Sequence, residues 1–335
     1  MKLIIQIPCL NEAEALPVTL ADLPRHLDGF DAVEWLVIDD GSTDGTVQVA
    51  RAHGVDHIVR LTGNRGLAVA FQAGVDAALK LGADVIVNTD ADNQYRGSDV
   101  VRLVAPILAG QADMVVGDRG VAHNEHMAPR KRQLQRLGSW VVRRASATDV
   151  MDSTSGFRAY NRDAAIRLQV VSSFTYTLET IIQAGRSAMS VATVPIDTNP
   201  ELRPSRLFPS IPLYIRRNAL SIFRVYAHYA PLRVFWSAAL VVGLVAAIIW
   251  GRFAYYFVFS TEGGNGHIQS LLLGAVLFNV ATVLAALGVI GDLIYAQRTI
   301  SQRTLEGVRR TELALGVAPA HLEPEEGDEH EVLPA

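Results

Sequence analysis

The chain has 335 residues, half of them hydrophobic, with 30 Lys and Arg against 34 Asp and Glu and a formal net charge of −4. That balance leaves no long basic stripe to neutralise phosphates, which argues against a general nucleic-acid binder. The single cysteine, Cys9, excludes an internal disulfide and suits a reducing compartment.

Met1 to Ile7 is too short for a signal-peptide core and runs into Pro8, so it reads as a buried strand. From there to about Gly120, apolar runs alternate with helical patterns. Leu3–Ile7, Trp35–Ile38, His57–Val59, Val85–Thr89 and Met114–Val116 suit strands buried on both faces. Glu12–Leu27, Thr46–His53, Leu67–Leu81 and Ser98–Ala109 read as helices. The alternation predicts an α/β fold with a mostly parallel, doubly wound sheet, whose ligands bind at the carboxyl ends of the strands.

Polar clusters stand at those ends: Pro8-Cys-Leu-Asn-Glu12, Asp39-Asp40-Gly41-Ser42-Thr43-Asp44, Asp90-Ala-Asp92-Asn-Gln94 and Gly117-Asp118-Arg119. No Gly-x-Gly-x-x-Gly follows the first strand and no P-loop is present, which argues against a dinucleotide site. A calcium loop fails because Gln94-Tyr95 stands where it needs an acidic residue and a sharp-turn glycine. In an extended segment Asp90 and Asp92 point the same way. Two hard oxygen ligands on one side suit Mg²⁺ or Mn²⁺, which then bridges a diphosphate.

Beyond Arg233 charge nearly vanishes until Asp292. Val234–Gly251 and Ile268–Gly291 approach or exceed the roughly 30 Å of a hydrocarbon core and read as two transmembrane helices. Arg252 and the aromatics Phe253, Tyr255, Tyr256, Phe257 and Phe259 suit an interface. Arg216, Arg217, Arg224 and Arg233 precede the first span, and Arg298, Arg303, Arg309 and Arg310 follow the second. The connecting loop has no Lys or Arg, so both ends are expected in the cytoplasm. Ala239, Gly243 and Ala247 form a small-residue stripe for helix contact, and Asn279 reads as interhelical glue. Pro209–Pro231 reads as amphipathic helix on the lipid bilayer surface, and the acidic stretch from His321 reads as disordered.

Together with Ile7-Pro8-x-x-Asn11-Glu12, Asn88-Thr89-Asp90-Ala91-Asp92-Asn93-Gln94 and Ser155-Gly156-Phe157-Arg158-Ala159, these motifs resemble the family 2 glycosyltransferases of GT-A fold. More closely they resemble the polyprenyl-phosphate sugar synthases of the dolichyl-phosphate mannose synthase type, over Met1 to about Arg303. The resemblance implies a Rossmann-like GT-A domain over 1–207, amphipathic juxtamembrane helices over 208–232, two spans over 233–296 and a partly disordered cytoplasmic tail over 297–335. It implies that Pro8, Asn11, Glu12, Asp39, Asp40 and Asp44 bind the nucleotide, that Asp90 and Asp92 engage metal and diphosphate, and that Gln94 contacts the donor. Glu179 matches an acidic position of the family. Family members often form tetramers through their membrane helices, so a homo-oligomer is expected.

For an anionic acceptor the candidates are Arg119, Arg130, Lys131, Arg136, Arg203 and Arg206, with Ser155, Arg158 and Ser205 grouped beside them. His123 and His126 read as loop histidines. The expected reaction is inverting transfer of a sugar from a UDP- or GDP-linked nucleotide-sugar donor to polyprenyl phosphate. A phosphate monoester is mostly ionised near pH 7, so it needs no strong base. Asp152, near the position of the family's base, therefore reads as positioning the acceptor or an arginine.

The alternative is a membrane glycosyltransferase acting on a hydroxyl of a glycolipid or polysaccharide. Processive synthases of that kind carry Gln-x-x-Arg-Trp after the base region. Here Gln133-x-x-Arg136 is followed by Leu137 and precedes Asp152. A sugar-phosphate nucleotidyltransferase would need a glycine-rich loop after strand one, which is absent.

Overall fold

In a computed structural model of the chain, the described residues are 1–120, 142–143, 146, 148–170, 176–200, 227, 230–259 and 268–324. The chain divides into two units, one of Met1–Ala219 with Thr304–Ala335 and one of Leu220–Arg303.

The first unit is built on strands β1 (Lys2–Cys9), β2 (Ala32–Asp39), β3 (His57–Arg60), β4 (Val85–Asn88), β5 (Met114–Asp118), β6 (Arg158–Asn161) and β7 (Val191–Pro195). They form one sheet in the order β3-β2-β1-β4-β6-β5-β7. All pairings are parallel except those of β6, which runs antiparallel to both β4 and β5. Leu3, Ile4, Ile5, Ile7, Leu36, Val37, Ile38, Val85, Ile86 and Val87 are fully buried, as strands covered by helices on both faces must be. The chain steps outward from β1 to β2 and β3 and then crosses back to β4 on the other side of β1, so the crevice beyond the carboxyl ends of β1 and β4 is a topological switch point.

Among the described residues the helices named for this unit are α1 (Leu16–Asp22), α2 (Thr46–Ala52), α3 (Leu67–Lys80), α4 (Val100–Leu108), α5 (Arg162–Arg167) and α6 (Thr177–Arg186). The first is seven residues long, far shorter than the helix expected over Glu12–Leu27. Two prolines set its limits. Pro17 sits in the first turn, where its missing N–H costs nothing, and Leu23 is forced to an extended ψ of 139° by Pro24. A one-turn 3₁₀ segment, Gly97–Asp99, replaces the start expected for the fourth helix.

The second unit holds α7 (Pro231–Phe259) and the first part of α8 (Ile268–Ala314), both long and apolar enough to cross a membrane. They meet through small residues: Ala239, Ala246 and Ala281 are buried, and Gly243 faces Ala281. The Trp250 indole lies against Gly274 and donates to the Leu271 carbonyl at 3.2 Å. Ala247, expected in the contact stripe, is exposed; Ala246 takes its place, one helical step round. Asn279 is also exposed, because the face bearing Ala281 is the one turned to α7. The amphipathic helices expected over 208–232 lie mostly outside the described residues.

From Thr304 onward α8 belongs to the first unit, where a tail was expected. Arg309 is buried and its Nη1 donates to the Ile166 carbonyl at 3.0 Å and the Leu168 carbonyl at 2.5 Å, capping the end of α5. Arg310 pairs with Asp163 and Glu306, and Glu312 with Lys80. Leu322, in the stretch expected to be disordered, pairs antiparallel with Val59 of the edge strand β3.

Candidate active site

The loops after β1 and β2 are stitched together by side chains on backbone amides. Asn11 has φ 55°, a left-handed conformation that asparagine tolerates. Its amide donates to Ser42 Oγ at 2.9 Å and its Oδ1 accepts from the Thr43 amide at 2.8 Å. The Glu12 amide donates to Thr46 Oγ1 at 2.9 Å, and the Asp44 carboxylate accepts from the amides of Ala13 at 3.2 Å and Thr46 at 3.0 Å. Burial works to raise the Asp44 carboxyl, but the Thr46 hydroxyl and these amides outweigh it and hold it below its ordinary value. Asn11 and Asp44 thus shape the rim with the oxygens expected to meet a nucleotide.

Asp40 is spent in the same way. It is buried, and its two oxygens accept from the amides of Arg65 at 2.7 Å and Gly66 at 2.8 Å, fixing the loop that opens α3. Gly41 presses against that loop with φ 77°; a Cβ there would lie 2.5 Å from the Gly63 carbonyl carbon. Asp39 is different. Its Oδ1 accepts from the Ser42 amide at 3.0 Å, while the buried Oδ2 has no hydrogen bond. Pro8 is buried in β1, in register with Ile38, and forms the floor between these loops.

Strand β4 ends at Asn88, and the chain turns at Ala91-Asp92, with Asn93 at φ 56°. Asp90 and Asp92 therefore lie on a turn, and the extended geometry expected for them is not what brings them together. They remain close enough to repel: burial first, then the charge of Asp92, push the Asp90 carboxyl up to about 6. Asp92 Oδ1 accepts from the Gln94 amide at 3.1 Å. The antiparallel β6 returns the chain to this rim, since Arg158 lies opposite Asn88. Gly156 then sits under Asp90, where a Cβ would come within 2.9 Å of Oδ2.

A buried polar network supports the turn. Gln6 Nε2 donates to Asn88 Oδ1 at 2.8 Å, and Asn88 Nδ2 donates to the Gly156 carbonyl and the Tyr176 hydroxyl, each at 2.8 Å. The Tyr95 hydroxyl accepts from the Gly156 amide at 2.9 Å and is hydrogen-bonded to Asp90. Tyr176 stacks on Phe71 at 4.0 Å and Tyr95 on Phe157 at 5.0 Å, which fixes both hydroxyls. Tyr95, Tyr176 and Gln6 were not among the expected site residues. Tyr95 lies one residue past a recognised motif, but nothing in the sequence marks the other two.

Beside the carboxylate pair, Arg119 forks onto Asp152, with Nε to Oδ2 at 2.7 Å and Nη2 to Oδ1 at 3.1 Å. Its remaining donors reach Gln94 Oε1 at 3.3 Å and Thr154 Oγ1 at 2.9 Å. Burial works against the Arg119 cation, but Tyr95, Asp152 and Asp90 outweigh it and raise its pKa. Burial likewise works to raise Asp152, and the Arg119 fork outweighs it, holding the carboxyl below its ordinary value. Thr154 donates to the same Oδ1 from its amide at 3.3 Å and its hydroxyl at 2.9 Å.

Arg158, expected at the acceptor phosphate, cannot serve there. It is fully buried, and its guanidinium donates to the carbonyls of Ser155 at 2.8 Å, Thr177 at 2.7 Å and Ser153 at 3.0 Å and to Thr180 Oγ1 at 2.6 Å. It ties the loop before β6 to the start of α6, which also carries the buried Glu179. Ser155 is buried as well, its hydroxyl without a hydrogen bond. Arg130, Lys131, Arg136, Arg203, Ser205, Arg206, His123 and His126 lie outside the described residues.

Among the described residues no group of three or more His, Cys, Asp or Glu could hold a metal ion. The donor set is the Asp90–Asp92 pair, and it fits a divalent cation. Two crowded carboxylates, one of them pushed up to about 6, are relieved by a double positive charge, whose remaining positions suit diphosphate oxygens and water.

The profile of Glycosyl transferase family 2 matches residues 4–168. The chain is 30% identical over 206 residues to the undecaprenyl-phosphate mannosyltransferase of Micrococcus luteus, which covers 58% of this chain and 83% of that protein. It is 31% identical over 216 residues to the polyprenol monophosphomannose synthase of Mycolicibacterium smegmatis, covering 61% and 80%. Among solved structures it superposes on glucosyl-3-phosphoglycerate synthase from Mycobacterium tuberculosis, in complex with Mn²⁺, UDP-glucose and phosphoglyceric acid. The TM-score is 0.52 and the identity 21%, over 66% of this chain and 79% of that one, so the likeness is one of fold, the GT-A arrangement.

Proposed function

We propose a reaction on a premise that sets its class: this chain belongs to glycosyl transferase family 2 and is a glycosyltransferase. The donor is a nucleotide sugar, UDP- or GDP-linked, and the acceptor is the phosphate of a polyprenyl lipid. The product is a polyprenyl-phosphate monosaccharide with inverted anomeric configuration.

The observation that carries this reading is the state of Asp152. It is the carboxylate beside Asp90 and Asp92 best placed to act as a base, and it is spent on Arg119 and Thr154. A carboxylate held below its ordinary pKa is a poor base for a sugar hydroxyl. A phosphate acceptor needs none, because its nucleophilic oxygen is already ionised near pH 7. Two relatives whose sequences this chain covers by 80% or more are named for polyprenyl-phosphate acceptors.

Asp90 and Asp92 would hold Mg²⁺ or Mn²⁺. When bound, that ion neutralises charge on the departing diphosphate. The protein's own residues do the rest. The amide-bound loops of Asn11, Asp40 and Asp44 shape the pocket for the donor's base, and Asp39, buried beneath them, anchors the turn through the Ser42 amide. Arg119, oriented by Asp152 and Gln94, places fixed positive charge beside the diphosphate and the incoming phosphate. Tyr95 and Gly156 hold Asp90 in place.

The helices α7 and α8 place the enzyme in the membrane that supplies its acceptor. One unit groups chain from before α7 with chain from Thr304 onward, which supports placing both on the same side of the bilayer. The arginines flanking both spans support assigning that side to the cytoplasm.

The test is a panel of radiolabelled UDP- and GDP-sugars incubated with membranes containing the protein and added undecaprenyl phosphate, with and without chelator. Label that enters the organic phase only with both lipid phosphate and divalent cation supports the proposal. A water-soluble product, or label on a glycolipid hydroxyl, overturns it.

A further inference from the structure

The turn that carries Asp90 and Asp92 is held from two sides by distant parts of the chain. On one side the Thr19 hydroxyl of α1 donates to the Ala91 carbonyl at 2.8 Å. On the other, the chain leaving β7 runs alongside the residues that follow the turn. Tyr95 and Thr198 pair antiparallel, the Asn199 amide donates to the Gln94 carbonyl at 2.9 Å, and the Asp197 amide donates to Asp99 Oδ2 at 2.7 Å. Residues 197–199 thus form a short clip on the far end of the turn.

One side chain of the clip reaches further. Asn199 Nδ2 donates to the Asn93 carbonyl at 3.1 Å. That carbonyl belongs to the same peptide group as the Gln94 amide, and the Gln94 amide donates to Asp92 Oδ1 at 3.1 Å. A peptide group is planar, so its carbonyl and its N–H turn as one body. Asn93 is buried and stands at φ 56°, outside any helix or strand, so the regular bonds of an element do not orient this peptide. The Asn199 side chain does.

We infer that Asn199 is a positioning residue for the metal pair: it holds the Asn93–Gln94 peptide so that the N–H stays on Asp92 Oδ1 and fixes that carboxylate for a divalent cation. This rests on the reading of Asp90 and Asp92 given above. Without the Asn199 donor the buried carbonyl loses its partner, the peptide is free to turn, and Asp92 loses the amide that orients it. The cation must then order the carboxylate as it binds, which weakens binding. Asn199 itself does not touch the ion.

Titration of the purified full chain in detergent with Mn²⁺, without nucleotide, tests this; the free ion is read by its electron paramagnetic resonance signal. Leucine matches asparagine roughly in size but carries no donor, and a serine hydroxyl is too short to reach the carbonyl. N199L and N199S should each weaken Mn²⁺ binding about fivefold, the scale of one hydrogen bond. N199Q, which keeps the amide, should bind more tightly than N199L. The metal-free melting temperature of N199L and N199S should fall by no more than about 4 °C, because the backbone bonds of the clip remain. Variants that bind Mn²⁺ as tightly as wild type overturn the proposal. So does a loss of binding accompanied by a larger fall in the metal-free melting temperature, since the clip itself would then have come apart. Wild-type protein that binds no Mn²⁺ overturns the metal reading and this proposal with it, a result distinct from normal wild-type binding with no effect of N199L.

Discussion

Arg119 grips Asp152 through two hydrogen bonds, Nε to Oδ2 at 2.7 Å and Nη2 to Oδ1 at 3.1 Å. The pair lies beside Asp90 and Asp92 but does different work. Asp92→Ala removes half of the proposed metal-binding pair and is expected to abolish transfer. Asp152→Asn leaves a neutral acceptor for the guanidinium, so transfer falls by about 10- to 100-fold and stays measurable. The same change leaves Arg119 without its counter-charge and costs about 2–4 kcal/mol of stability. Initial rates and thermal melts of both variants check this. Equal, complete loss of activity in both would count against a base-free reaction.

A pH dependence follows from Asp90. Its folded pKa, pushed up to about 6 from an unfolded value of 3.8, means that the metal-free fold binds more protons than the unfolded chain between those values. The favourable contribution is full below pH 3.8 and is lost as pH rises through about 6, some 3 kcal/mol in all. Metal-free protein should melt at lower temperature at pH 7 than its other titrations alone predict, and Mn²⁺ should restore it above pH 6 but not below pH 5. Asp92→Asn relieves the repulsion, so it should raise the metal-free Tm at pH 7 while removing the response to Mn²⁺. A variant that loses both stability and response would show that the two carboxylates do not repel.

Gly156 is the close approach on which Asp90 depends. Gly156→Ala would put a methyl 2.9 Å from both Asp90 Oδ2 and the Tyr176 hydroxyl. Both are side-chain atoms that can give way, so the expected cost is about 1–3 kcal/mol with the fold kept. The affinity for Mn²⁺, read by the same melts, should drop more than stability does. An unchanged metal response would place Asp90 elsewhere during metal binding.

Arg158 should behave as a structural residue. Arg158→Met removes four donated hydrogen bonds from a buried position and is expected to cost about 2–4 kcal/mol. At temperatures where the variant is folded, its KM for polyprenyl phosphate should match that of the wild type. A stable variant with a raised acceptor KM would return Arg158 to the acceptor site.

Much of this architecture is legible before any coordinates. Five strands and the clusters at their carboxyl ends show because buried parallel strands leave uninterrupted apolar runs that stop at polar residues. What stays hidden has local causes. Strand β6 is four residues, Arg-Ala-Tyr-Asn, with no apolar run to reveal it. Arg158 looks like a free cation because its partners are carbonyls, which every residue carries. Asn11, Asp40 and Asp44 look like ligand acceptors, yet their oxygens face amides of neighbouring loops. The limits of the first helix, by contrast, are written locally in Pro17 and Pro24. The acidic stretch after α8 has a disordered composition but meets Arg51 and Arg60, a long-range pairing that no window of sequence contains.

The nucleotide released reports most directly which bond is made. Purified protein, a labelled nucleotide sugar, undecaprenyl phosphate and Mn²⁺ should give lipid product and nucleoside diphosphate in equal amounts, with the lipid mass equal to polyprenyl phosphate plus one sugar residue. Release of nucleoside monophosphate with a sugar diphosphate lipid, or lipid product that forms without the acceptor's phosphate, would contradict it.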